Sequence, residues 1–158
     1  MSRSAWALPD SSLIALRLGV IPRVFCDSPV YLSARGTPCT PNDLAWHDCV
    51  SYPALLSPDV WTFASDKSNL AVRVHSRLVV GNAGAACDAA RAGIGITGAF
   101  SYLIEAALEA RALTTLLDEF QPPAWPVSLV HVAGRFLPIK LRAFLDFAAP
   151  RLKARLQQ

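Results

Sequence analysis

The stretch Leu70-Ala71-Val72-Arg73-Val74-His75-Ser76-Arg77-Leu78-Val79-Val80-Gly81-Asn82-Ala83, running on to Gly93-Ile94-Gly95-Ile96-Thr97, decides the fold. Leu70, Val72, Val74, Ser76 and Leu78 fall on one side of an extended chain. Ala71, Arg73, His75 and Arg77 fall on the other. This period-two alternation predicts a strand over 70–80 with one wet face. Asn82 is a good helix N-cap and Gly93 suits the position just past a helix end, so a helix is predicted over 83–92. Residues 94–97 then read as another strand. Strand, helix and strand in succession are the repeating unit of an α/β sheet.

The same grammar extends outward. Shorter strands are predicted at 23–26, 48–52, 61–64, 114–117 and 127–132. A helix over 41–47 begins with Thr40 as cap and Pro41 in its first turn. A helix over 101–111 carries Leu103, Ile104, Ala107 and Leu108 on one stripe. A helix over 138–149 carries Leu141, Phe144, Leu145 and Ala148 at i, i+3, i+4, i+7 and stops at Pro150. A short helix is expected around 11–18 with Asp10 as cap. The alternation predicts an α/β fold with a largely parallel sheet. Gln121-Pro122-Pro123-Ala124-Trp125-Pro126 and the segment 33–41 read as connectors. The middle, 37–122, is then one lobe, and the two ends meet to form another.

Composition bounds the possibilities. The chain has 158 residues, 53% hydrophobic and 17% charged, with a net charge of +3. That is too apolar for a disordered chain. No apolar run is long enough to span a membrane, and no secretory signal core is visible at the start. The charge is weaker than a nucleic-acid-binding face demands. Cys26, Cys39, Cys49 and Cys87 form no C-x-x-C pair and lie beside no histidine at zinc spacing, so no metal or cofactor is expected. They read as reduced, mostly buried thiols, which with the missing export signal points to the cytoplasm.

Catalytic constellations are not apparent. Gly93-Ile94-Gly95-Ile96 follows a helix and enters a strand, the reverse of a dinucleotide fingerprint, and reads as a helix end plus a close-packed strand start. His47, Asp48 and Cys49 are consecutive, so they alternate faces and cannot line up. No G-x-S-x-G elbow, S-x-x-K pair or paired carboxylates suggest themselves. The expectation is a protein that is not an enzyme. Strand ends that run into helices remain, at Val80-Gly81-Asn82-Ala83-Gly84, Ile96-Thr97-Gly98-Ala99 and Asp10-Ser11-Ser12. Capping explains each alone; gathered in one cleft they would suit an anion such as a carboxylate.

Several segments, in order along nearly the whole chain, resemble one family. They are Leu8-Pro9-Asp10-Ser11-Ser12-Leu13-Ile14-Ala15, Val24-Phe25-Cys26-Asp27-Ser28-Pro29-Val30-Tyr31-Leu32 and Pro41-Asn42-Asp43-Leu44-Ala45-Trp46-His47-Asp48-Cys49. Trp61-Thr62-Phe63, Asn82 with residues 89–96, and Trp125–Arg135 with 141–147 complete the series. Together they resemble the effector-binding domain of LysR-type transcriptional regulators.

The resemblance implies a type II periplasmic-binding-protein-like α/β fold of two Rossmann-like lobes joined by crossing strands. Residues 1–32 and 127–149 would be the remnant of an incomplete first lobe, 37–122 the second lobe, and 150–158 a C-terminal tail. It implies a small-molecule effector, often a carboxylate, and a homo-oligomer. DNA would be bound only through a helix-turn-helix domain missing from this chain, and no membrane is involved. The implied cleft residues are Ser11, Ser12, Tyr52, Pro53, Asn82, Thr97 and Gly98. Two departures stand out. Thr97-Gly98-Ala99-Phe100 replaces the family's apolar-residue–Pro turn, and Asn82-Ala83-Gly84-Ala85 lacks its usual acidic residue. A shortened first lobe would also leave Leu141, Phe144 and Leu145 less covered, exposing apolar surface. A stand-alone solute-binding protein of the same fold is the alternative, and it needs the export signal that is not visible.

Overall fold

The computed structural model describes residues 5–7, 13–64, 69–132 and 137–156. The chain divides into two compact units, one of Met1–Ile21 with Ala124–Gln158 and one of Pro22–Pro123. The connector expected at 121–126 holds the second boundary. The first lies at Ile21/Pro22, so residues 22–32 belong with the middle of the chain and not with the ends. The segment 33–41 is a turn inside that unit. Its Gly and Pro residues mark a change of direction, which is all such residues can mark.

The first unit is an antiparallel sheet and a helix. Strands β1 (Ala5–Ala7), β2 (Leu13–Ile21) and β10 (Trp125–Val132) pair in the order β1-β2-β10. The helix expected around 11–18 is absent where the chain is described, since Leu13 to Leu18 lie in β2. β2 finds antiparallel partners on both edges, Trp6↔Ala15 on one and Val130↔Ala15 on the other. That double pairing satisfies its backbone and overrides helix propensity. Asp10, Ser11 and Ser12 lie outside the described residues.

Helix α4 (Ile139–Leu156) also departs from expectation. It passes through Pro150, so 150–156 continue the helix and form no tail. A proline removes one hydrogen bond, here the one to the Asp146 carbonyl, but does not forbid continuation. Here Arg151 donates from Nη1 to the Phe147 carbonyl at 2.8 Å, and its guanidinium lies 3.7 Å from the Phe147 ring centre.

The second unit holds the larger core. Its elements are β3 (Arg23–Asp27), α1 (Pro29–Arg35), a 3₁₀ turn (Pro41–Trp46), β4 (Asp48–Ser51), β5 (Val60–Phe63), β6 (Leu70–Arg73) and β7 (His75–Val79). They continue with α2 (Ala83–Arg91), β8 (Thr97–Phe100), α3 (Ser101–Glu109), β9 (Thr114–Leu116) and a 3₁₀ turn (Asp118–Phe120). The strand predicted over 70–80 breaks at Val74, because β6 pairs with β5 and β7 with β4. Its alternation holds as far as Arg77, with Val72 buried and Arg73, His75 and Arg77 exposed, but fails at Leu78, which is exposed rather than turned inward.

β4 runs parallel to β7 and, through the bridge Cys49↔Ile96, parallel to the chain entering β8. β3 lies antiparallel to both β8 and β9. The expected largely parallel sheet is not what forms: β4–β7 and the Cys49↔Ile96 bridge are parallel, whereas β3 pairs antiparallel with β8 and β9, and β5 with β6.

Local chemistry explains the element ends. Asn82 caps α2 by accepting from Ala85 N at 2.9 Å. At its other end Gly93 N bonds to Ala90 O and Ile94 N to Ala89 O, with Gly93 at φ +75. This is a Schellman ending, where glycine takes the left-handed conformation most cheaply. A Cβ on Gly95 would lie 2.7 Å from the Asp48 carbonyl carbon, so only glycine lets the chain approach β4 there. α1 adds a helix beyond those the sequence predicts; Ser28 caps it and Pro29 opens it as that dipeptide should. The centre of the unit is aromatic: Phe25 lies 4.7 Å from Phe63 and 5.5 Å from Trp61 between ring centres.

Candidate ligand-binding site

A cavity of about 340 Å³ opens at the end of the second unit where the chain enters and leaves it. Its size is in the range of small-molecule sites. Arg23 and Phe25 come from β3, Leu56 and Ser57 from the loop before β5, Trp61 from β5, and Gly98 from β8; Asn69, Pro122 and Pro123 complete the rim.

Each wall is held from behind. Trp61 donates from Nε1 to the Ser57 carbonyl at 3.0 Å and to Ser51 Oγ at 3.2 Å. Ser51 Oγ meets Ser76 Oγ at 2.6 Å, joining β4 to β7, and Ser76 Oγ donates to the Pro58 carbonyl, which ties the loop to β7. Gly98 forms the floor: a Cβ there would sit 3.2 Å from both Leu56 Cδ1 and Phe25 Cε1. Leu56, Phe25 and Trp61 are buried, so the apolar floor is part of the core and preformed.

Arg23 is the only ionisable side chain lining this cavity among the described residues. Burial lowers its pKa from the usual value, and the nearby Tyr52 phenol counters this. A guanidinium so shifted remains a cation at neutral pH. The cavity thus offers aromatic and aliphatic walls, one positive charge, and the neutral polar groups of Ser57 and Asn69.

The residues implied by the family resemblance are dispersed. Gly98 lines the cavity. Thr97 is fully buried and donates to the Val50 carbonyl at 2.8 Å. Tyr52 is a core residue whose phenol has no hydrogen-bond partner among the described residues, and burial raises its pKa. Pro53 is exposed beyond it. Asn82 is exposed and engaged as a helix cap. Ser11 and Ser12 lie outside the described residues. Sequence reasoning did not single out Arg23, Ser57, Trp61 or Asn69 as site residues. The one signal on offer was an arginine directly after Pro22, ahead of the apolar run Val24-Phe25-Cys26.

The cysteines bear out one reading and qualify it. Cys26, Cys49 and Cys87 are buried, Cys39 is exposed, and all four are free thiols. Burial pushes the Cys26 and Cys49 thiols up to about 12, which makes them poor nucleophiles. Among the described residues, no helix is long and apolar enough to cross a membrane.

Fold and cavity define the class: a two-unit α/β domain with a concavity of small-molecule size. Residues 3–153 match the LysR substrate binding domain, and the chain belongs to that family. Its fold is accordingly the type II periplasmic-binding-protein-like one. An uncharacterised HTH-type transcriptional regulator of Haemophilus influenzae is 28% identical over 134 residues, 85% of this chain and 46% of the relative. The HTH-type regulator YhjC of Escherichia coli is 30% identical over 149 residues, 93% of this chain and 50% of the relative. The chain thus spans about half the length of these curated relatives. Among solved structures, the regulatory domain of CrgA from Neisseria meningitidis superposes with a TM-score of 0.75 at 26% identity, covering 94% of this chain and 72% of that domain.

Proposed function

We propose that these 158 residues are the ligand-sensing and self-associating portion of a cytoplasmic, non-catalytic transcription regulator. The effector is a small organic anion, a carboxylate with an apolar body. The observation that carries this reading is the cavity in which Arg23 supplies the single charge above an aromatic floor. A carboxylate paired with a half-buried guanidinium gains charge-assisted hydrogen bonds, while its apolar body leaves water for the space above a floor that the core already holds in place. DNA would be contacted by a helix-turn-helix domain of the kind the relatives' names state. The effector acts on that domain only through its differential affinity for two arrangements of the intact regulator. A stand-alone solute-binding role is not favoured, since the relatives are transcription regulators.

A thermal-shift screen of aromatic and aliphatic carboxylates tests the reading. Compounds that stabilise the wild type should lose their effect in Arg23→Gln and keep it in Asn82→Ala, whose side chain lies outside the cavity. Equal shifts in all three proteins would discard the site. A gel shift at physiological salt tests the other half, because specific retardation by this chain alone would contradict the division of labour.

A further inference from the structure

We propose a second, separate binding site on the Pro22–Pro123 unit, for a small multiply charged oxyanion such as a phosphate or polycarboxylate, held between Arg91 and Arg111. Both arginines line a groove of about 580 Å³ that also includes Ser28, Asp88 and Ala112 and shares no residue with the cavity at Arg23.

Two observations support it. The first is charge. Arg91 and Arg111 outweigh Asp88, which pairs with Arg91 at 3.3 Å. The Arg111 guanidinium has no hydrogen bond or ion pair among the described residues and is exposed. Two planar guanidinium groups lining one concavity suit the paired oxygens of a phosphate or carboxylate.

The second is the backbone beneath Arg111. α2 and α3 end in the same way. In α2, Gly93 N bonds to Ala90 O and Ile94 N to Ala89 O; in α3, Arg111 N bonds to Leu108 O and Ala112 N to Ala107 O. The pivot residue has φ +75 in α2 and φ +56 in α3. One pivot is glycine, as this motif prefers. The other is an arginine, in a conformation that L-residues with a Cβ resist. The only other non-glycine at positive φ among the described residues is Leu117, whose side chain is buried in the core and so explains its own strain. No such packing explains Arg111. Its side chain is exposed and lines the groove together with Arg91.

The test is phosphate titration of the 158-residue chain by thermal shift, against sodium chloride at matched ionic strength, with citrate as a parallel arm. Wild type should show a saturable rise in Tm with phosphate or citrate that chloride does not reproduce. Arg91→Gln and Arg111→Gln should each weaken the half-saturation by about tenfold or more. Arg111→Gly is the decisive variant. It should raise the ligand-free Tm by about 2–4 °C, because glycine relieves the pivot, yet lose the anion response. Citrate without phosphate would assign a polycarboxylate, and the reverse a phosphate. An anion response retained in Arg111→Gly, a response matched by chloride, or none in wild type would each overturn the proposal. Arg23→Gln should leave this response intact, which separates it from the effector cavity.

Discussion

Asp27 ends β3 with its side chain wholly out of solvent. Oδ1 accepts from Ser28 N at 2.6 Å, and Oδ2 has no partner among the described residues. Burial pushes its pKa from 3.8 up to about 7, against the opposing pull of the Ser28 hydrogen bonds. The folded value lies above the unfolded one, so the folded protein holds an extra proton between them. Stability from this group is therefore full below the unfolded value and is lost as pH rises through the folded one. A gap of about three units corresponds to roughly 4 kcal/mol at most. Asp27→Asn keeps the shape and the acceptor for Ser28 N, but it places an N–H group where Oδ2 lay, at a cost of about 1–3 kcal/mol if unmet. Near pH 4.5 the variant should equal the wild type or fall below it. Near pH 8 it should be the more stable, with a swing between the two of up to about 4 kcal/mol. Urea unfolding followed by the fluorescence of buried Trp61 measures both proteins across this range, and titrations they share cancel in the difference. A pH-independent difference would refute the reasoning.

Other perturbations probe the frame. Gly95→Ala should cost about 3 kcal/mol or more, since its Cβ would drive β8 off the Asp48 backbone; near-native urea stability would mean that the approach is soft. Pro150→Ala restores a missing hydrogen bond inside α4 and should stabilise the first unit by up to about 3 kcal/mol, read as a higher melting point by circular dichroism. Ile139, Phe144, Val130 and Val132 in the first unit are all more than half exposed. The chain should therefore associate with rising concentration in sedimentation, and Ile139→Lys with Phe144→Lys should weaken that association; a monodisperse wild-type monomer would contradict it.

Most of the second unit was legible because its signals are local. Asn82 and Gly93 bracket α2, and Thr40 and Pro41 open the 3₁₀ turn, through contacts within four residues. What was illegible depends on distant partners. β2 reads as a short helix until β1 and β10 flank it, and the strand over 70–80 splits only because two different strands claim its halves. Pro150 ends a helix by every local rule, yet α4 continues through it to Leu156. The opening at Ile21/Pro22 lies within a run of extended residues with no change in composition, whereas the glycine and prolines of 33–41 advertised a boundary and made a turn.

The candidate site follows the same division. Strand ends and helix caps drew attention to Thr97 and Asn82 because their residue types suit ligands, but both side chains are already engaged by the fold, one with Val50 and the other with Ala85. A polar group committed to the backbone behind it has little left to offer a ligand. Gly98 and Arg23 are in the opposite position. Gly98 contributes by having no side chain, so that Leu56 and Phe25 close behind it and leave a floor. Arg23 brings a charge to a wall that otherwise holds only neutral groups. The aromatic floor is locked into the core and cannot be tuned without loss of stability. If the cavity binds a ligand as proposed, changes of preference would fall on the polar lining residues Arg23, Ser57 and Asn69 and on the size of the residue at position 98.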